Sequence, residues 1–298
     1  MKRLFIGYFL FLTLFSCQKS ENYLLEENLP STAKAIPRQL VALHKPDHII
    51  FVWFENKGFS QIVGSTSAPF INSLIPQGTL FTNAHALGHP SYPEYIRFFC
   101  GTRAGITTND CIDGTVLSNE NLYTSLHAVG RTFAWYSEDL PQEGSEICQS
   151  GYYVEKHNPT TIFSNVPTTV NKPFTAFPTT PAGWEQMENV VCISPNLMND
   201  MHDGTILQGD QWLERNFTGL INWCKTHNSI FFVYFDEDNW TTSNLIPVIA
   251  VGQKVRTNYQ SPFYYDHYSF TRTVLSMYGA PFFANTLSRT DIYDCWRR

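Results

Sequence analysis

Ile49-Ile50-Phe51-Val52-Trp53-Phe54 is the stretch that most limits what this chain can fold into. Six consecutive apolar residues, bounded upstream by Lys45-Pro46-Asp47 and closed by Glu55-Asn56, read as a strand buried on both faces, the kind found in a parallel sheet covered by helices. Ile230-Phe231-Phe232-Val233-Tyr234-Phe235 repeats the pattern and also ends in acids, Asp236-Glu237-Asp238. Open α/β sheets bind ligands beyond the carboxyl ends of their strands, and in a parallel sheet those ends share one edge. Glu55-Asn56 and Asp236-Glu237 therefore stand where chemistry is expected. Each pair alone also fits an ordinary strand end followed by a helix cap.

Between and beyond these runs, helical spacing over 68–75, 122–129, 210–224 and 270–278 alternates with strand-like text at 79–84, 132–136, 189–193 and 246–251. Asp210 reads as the cap of the third of these helices. The alternation predicts an α/β fold with a mainly parallel central sheet and helices on both faces. No repeat or linker divides residues 45–298, which read as a single domain. Residues 137–186 are loop-rich and punctuated by prolines, and loops of that length usually carry function. The aromatics Trp135, Tyr136, Tyr152, Tyr153, Phe163, Phe174 and Phe177 either wall a pocket for an apolar leaving group or, the favoured reading, form satellite core under the loop.

The start of the chain reads as a processing signal. Lys2 and Arg3 precede an apolar stretch from Leu4 to Phe15, and Leu14-Phe15-Ser16-Cys17 resembles a bacterial lipobox, with a second residue bulkier than usual. Residues 1–17 are thus expected to be a lipoprotein-type signal peptide and 18–44 a tether. The expected product is an exported protein anchored to a membrane through lipidated Cys17, with an ordinary cleaved signal peptide as the alternative. No later stretch is long and apolar enough to span a bilayer. A net charge of −6 without a Lys or Arg cluster argues against nucleic acid as a partner.

Setting Cys17 aside leaves Cys100, Cys111, Cys148, Cys192, Cys224 and Cys295. An even number in an exported chain suggests disulfides, and the polar, Gly-rich loop between Cys100 and Cys111 favours that pair. A zinc site is the competing explanation, without any CxxC to support it.

Oxygen-rich strand ends suit a hard divalent cation, Mg²⁺, Ca²⁺ or Mn²⁺, better than zinc. A hydroxyl beside such a cation loses its proton more easily, which gives a role to Ser91 in His89-Pro90-Ser91-Tyr92-Pro93. Three histidines, His89, His157 and His202, lie in turn-rich text close to other polar residues. Taken singly, each is an ordinary loop residue.

Glu55-Asn56, Ala68-Pro69-Phe70-Ile71-Asn72-Ser73-Leu74, His89-Pro90-Ser91-Tyr92-Pro93-Glu94-Tyr95, His157-Asn158-Pro159, Pro195-Asn196-Leu197-Met198-Asn199-Asp200-Met201-His202-Asp203 and Phe235-Asp236-Glu237 occur in that order. Together they resemble the bacterial phosphoesterase family of acid phosphatases and phospholipases C, within the alkaline phosphatase superfamily. The likeness runs from about residue 47 to 280. It implies an alkaline-phosphatase-like fold and a metal-dependent hydrolase of phosphate esters. Carried over, Glu55, Asn56, Ser91, Asp236 and Glu237 are the metal ligands, and Ser91 is also the nucleophile that forms a phosphoserine. His157 and His202 fall at catalytic positions that contact phosphate or transfer protons, while His89 and Asp200 fall at substrate-binding ones. A phosphomonoesterase is the first expectation and a phosphodiesterase or phospholipase C the second. A surface binding protein that has lost turnover is the third, because Glu94 and Asp238 depart from the family pattern by adding negative charge near the proposed metal, a change that otherwise implies an altered substrate preference.

Overall fold

The first apolar run forms β1 (His48–Phe54), with every residue buried. The computed structural model describes residues 43–297 except 113 and 115. The expected signal peptide with Cys17, and the tether up to residue 42, lie outside the described residues. After β1 come β2 (Thr79–Phe81), β3 (Ala84–His85), β4 (Phe133–Ser137), β5 (Gln149–Ser150) and β6 (Tyr153–Val154). They are followed by β7 (Asn171–Pro173), β8 (Val190–Ser194), β9 (Ser229–Phe235), β10 (Val248–Gly252), β11 (Tyr259–Ser261) and β12 (Tyr265–Asp266). The helices are α1 (Phe59–Ile62), α2 (Pro69–Leu74), α3 (Ser91–Cys100), α4 (Leu122–Ala128), α5 (Pro181–Trp184), α6 (Ile206–Cys224) and α7 (His267–Tyr278).

Eight strands build one sheet in the order β11-β2-β10-β9-β1-β8-β4-β7. From β9 across to β7 all neighbours are parallel. The run expected at 246–251 enters as β10, antiparallel to both β9 and β2. Successive side chains of a strand point to opposite faces, and β9 demonstrates both coverings. Phe231 meets Phe217 of α6, whereas Phe232 stacks on Phe51 of β1 and meets Phe270 of α7. The fold is therefore α/β with helices on both faces of a mainly parallel sheet.

Most of the loop aromatics are core. Trp135, Tyr136, Tyr153, Phe163 and Phe177 are buried, and Phe174 packs against Trp212 and Phe217 of α6. Tyr152 alone among the seven is exposed. Among the described residues no helix is long and apolar enough to cross a membrane.

Two expectations need correction. Asp210 does not cap its own helix: α6 begins one turn earlier, where Thr205 accepts from the backbone N–H of Gln208. Asp210 instead reaches across to α2, its carboxylate accepting from the N–H groups of Phe70 at 3.0 Å and Ile71 at 2.8 Å. It caps a helix 140 residues away in sequence. Asp210→Ala is expected to lower stability by about 1–2 kcal/mol, because two helix-terminal donors lose their acceptor. A urea midpoint equal to that of the unaltered protein would refute the capping role.

The second correction is the disulfide. Cys111 pairs with Cys148, with Cα atoms 5.6 Å apart, rather than with Cys100. α3 continues through Cys100 and carries it into the core, where its thiol donates to the carbonyl of Thr102. Cys111 lies on the exposed side of its loop, facing the long 138–189 connection. Cys100, Cys192, Cys224 and Cys295 are buried free thiols.

Candidate active site

Parallel pairing of β1 with β9 sets Phe54 opposite Phe235, so Glu55 and Asp236 leave the sheet side by side. Asp236 donates its backbone N–H to the carbonyl of Phe54 at 3.1 Å. The chain turns at once after β1: Asn56 adopts a left-handed φ of 54°, and its N–H donates to Asp236 Oδ1 at 3.0 Å. β8 adds the loop that follows it, where the carbonyl of Asp200 accepts from the N–H of Glu55 at 2.8 Å. Three parallel strands thus deliver acids to one edge, as expected for the carboxyl ends of an open sheet.

Ser91 comes from the other direction. It is the first residue of α3, a helix buried along its whole length, so its packing fixes where the hydroxyl points. Ser91 Oγ donates to Glu55 Oε2 at 2.8 Å and lies 3.5 Å from Glu237 Oε1. One turn along the same helix face, Tyr95 donates to Glu55 Oε1 at 2.5 Å. Asn56 Nδ2 donates to Glu55 Oε2 at 2.9 Å. Glu55 is thus the hub of the site.

The histidines divide by environment. His157, buried, sits between two carboxylates, with Nε2 at 3.2 Å from Glu55 Oε1 and Nδ1 at 3.1 Å from Asp200 Oδ2. Burial pushes its pKa down to about 3, which keeps the ring neutral. His89 holds Glu237 Oε2 at 2.9 Å through Nδ1. His202 is exposed; its Nδ1 is held by Asp203 Oδ1 at 2.7 Å and its Nε2 lies 3.4 Å from Lys156 Nζ. Its ring centre is 6.0 Å from that of His157. Every residue singled out from the sequence therefore reaches the same sheet edge.

Burial governs the electrostatics. Glu55, Asp200, Asp236 and Glu237 are each at most 1% exposed. Burial, reinforced by the charge of Glu55, raises the carboxyls of Asp200 and Asp236 well above the usual range. Burial and the charges of Glu55 and Glu94 push Glu237 up to about 9. Glu55 itself is held low: burial works against its charge, but the charge of Lys156 and the Tyr95 hydroxyl favour its ionised form. Such a set is fully ionised only beside added positive charge.

Among the described residues no group of three or more His, Cys, Asp and Glu side chains is arranged to hold a metal ion. The carboxylates are turned instead onto the serine, tyrosine, amide and imidazole donors described above. The donor set nonetheless fits a hard cation. It is made of oxygens, it is short of positive charge, and Asp236 Oδ2 is buried with no hydrogen-bond partner.

The departures at Glu94 and Asp238 have local explanations. Glu94 lies 3.2 Å from Arg97 Nε and accepts from the N–H of Leu87 at 2.7 Å. Asp238 closes a turn by accepting from the N–H of Thr241 at 2.8 Å. Three contributors escaped the sequence reading. Tyr95 was findable from its i+4 spacing to Ser91. Lys57 donates from Nζ to the carbonyl of Met201 at 2.8 Å and immediately follows Asn56. Lys156, next to His157, had no signal of its own.

The phosphoesterase family matches residues 65–281. The chain is 41% identical to the phosphatidylinositol-3-phosphatase of Mycobacterium tuberculosis over 84% of its own length and 82% of that protein's. It is 27% identical to the phosphate-repressible acid phosphatase of Penicillium chrysogenum over 79% of its own length, and spans 60% of that relative. Among solved structures it resembles a protein of the alkaline phosphatase superfamily from Vibrio parahaemolyticus, with a TM-score of 0.56 at 12% identity, covering 84% of this chain and 72% of that one. Sheet order, the shared strand edge and this extent of family match agree: the chain belongs to the phosphoesterase family, carries an alkaline-phosphatase-type fold and is a hydrolase of phosphate esters.

Proposed function

We propose that the protein is an exported, lipid-anchored phosphomonoesterase that acts through Ser91 and depends on a divalent cation. The observation that carries this reading is the buried Ser91 hydroxyl, 2.8 Å from Glu55 in a nest of carboxylates. The two curated relatives described above, both named as phosphatases, support the preference for monoesters. Export and anchoring rest on the lipobox-like sequence ending at Cys17.

Glu55, Asn56, Ser91, Asp236 and Glu237 would hold the cation. Bound there, it supplies positive charge to the phosphoryl oxygens and favours loss of the serine proton. Glu55 orients the Ser91 hydroxyl, and Tyr95 and His157 hold Glu55. Ser91 Oγ passes its proton to Glu55 Oε2, the acceptor 2.8 Å away, and forms a bond to phosphorus as the ester P–O bond breaks, and the departing alkoxide takes a proton from His202, steadied by Asp203. Water cleaves the phosphoserine, restoring the hydroxyl and releasing inorganic phosphate. His157, with both ring nitrogens on carboxylates, acts in this scheme by positioning Glu55. Lys156 adds positive charge at the rim where the phosphate enters.

Dialysis against EDTA is expected to abolish hydrolysis of p-nitrophenyl phosphate, and added Mg²⁺, Ca²⁺ or Mn²⁺ to restore it. Undiminished turnover after chelation would overturn the cation requirement. Faster hydrolysis of bis(p-nitrophenyl) phosphate or of phosphatidylcholine than of the monoester would replace the monoesterase reading with a phosphodiesterase or phospholipase C.

A further inference from the structure

Trp240 is the most exposed of the large apolar side chains described, at 66%, and it stands at the rim of the Ser91 site. Its indole stacks on the imidazole of His89, ring centres 4.7 Å apart and planes inclined by 15°. His89 in turn holds Glu237, whose other oxygen faces Ser91. One face of the indole is therefore covered by a site residue.

Neither burial nor backbone preference explains a tryptophan here. The residue has a φ of 59°, a left-handed conformation that bulky side chains rarely adopt and glycine adopts freely. The turn around it is firmly tied. Asp238 accepts from the N–H and hydroxyl of Thr241, and its own N–H donates to Asn244 Oδ1 at 2.8 Å. Asn244 Nδ2 donates to the carbonyl of Gly88, next to His89, at 2.8 Å. A strained backbone at a functional site is retained when the surrounding structure over-determines it. Here the strain presents an aromatic plane to solvent, fixed relative to the nucleophile.

We infer that Trp240 is a substrate-contacting residue that selects phosphate monoesters whose alcohol carries a flat, apolar group. The inference rests on the phosphoesterase reading of the Ser91 site. The phosphate enters between Ser91 and the histidines, and the leaving group lies along the indole, gaining area burial and offset or edge stacking. A polar alkyl alcohol gains little from the same surface.

The test compares benzyl phosphate with ethyl phosphate, whose leaving alcohols differ little in acidity, on the full chain. Trp240→Ala is expected to lower the benzyl-over-ethyl ratio of kcat/KM about tenfold, the scale of one lost aromatic contact with its buried area. Trp240→Phe should keep most of that ratio. Trp240→Gly should lose it as Trp240→Ala does while keeping or raising Tm, since glycine relieves the left-handed backbone. If the indole serves only to steady His89, both substrates fall together and the ratio stays constant, which would overturn the inference. Calorimetric binding of benzylphosphonate against ethylphosphonate reads the same surface without turnover. A benzyl preference there that Trp240→Ala removes, combined with undiminished catalysis by Ser91→Ala, would keep the aromatic platform and reject the nucleophile. An unaltered preference in Trp240→Ala would reject the platform whatever Ser91 does.

Discussion

Ser91→Ala is expected to reduce kcat/KM for p-nitrophenyl phosphate by about 10³-fold or more, since a nucleophile that forms a covalent intermediate has no substitute within reach. The fold should tolerate the change. Glu55 loses one of its donors but keeps Tyr95 and Asn56, and a single lost hydrogen bond is worth about 1 kcal/mol, a shift of only a few degrees in Tm. A large loss of activity with nearly normal melting separates a chemical role from a structural one. Acid quenching of the unaltered protein during turnover of ³²P-labelled substrate should leave label on the peptide containing Ser91, and the alanine variant should carry none. Turnover by Ser91→Ala at the rate of the unaltered protein would exclude Ser91 as nucleophile.

How far the site could be read from the sequence depended on whether geometry follows from local pattern. An uninterrupted apolar run such as 49–54 has no polar face to give to solvent, so a doubly covered strand is its natural reading, and the acids at its end inherit a position from the strand. Ser91 was readable for a similar reason, because the Pro-flanked turn at 89–93 leads directly into a helix. Asp210 was misplaced because a cap is recognised by what it accepts from, and its partners Phe70 and Ile71 become neighbours only when α2 packs on α6. The Cys111–Cys148 bridge failed for the same cause. It is set by the course of the 138–189 connection, while the nearer Cys100 is removed into the core by a helix that runs longer than its flanking loop suggested. Trp240 carried no signal, since exposure and a positive φ are properties of the folded turn.

Glu94 looked from the sequence like a charge that weakens the metal site, and its surroundings give the opposite expectation. The carboxylate is fully buried on α3, one helical turn before Arg97, whose side chain is only 6% exposed and has its Nε within 3.2 Å. The two charges entered the core together, so Arg97 offsets part, though not all, of the negative charge that Glu94 adds beside Glu237. Removing one partner takes a countercharge away from the other inside the core, whereas removing both does not. Arg97→Met is therefore expected to destabilise the protein by about 3–5 kcal/mol, measured by urea unfolding. Glu94→Gln, which keeps an acceptor for the N–H of Leu87, removes the negative charge 3.2 Å from the guanidinium and should also lose stability. The double variant should regain part of the Arg97→Met loss, giving a coupling energy of about 1–3 kcal/mol. Strict additivity of the two single changes would show that the pair is not coupled and that Arg97 serves elsewhere. In that case the charge of Glu94 acts unopposed on Glu237, and Glu94→Gln should raise activity with cation present. With the pair coupled as the geometry indicates, Glu94→Gln leaves a surplus positive charge behind the site that competes with the cation, and a higher concentration of Mg²⁺ or Mn²⁺ is needed to reach half-maximal activity.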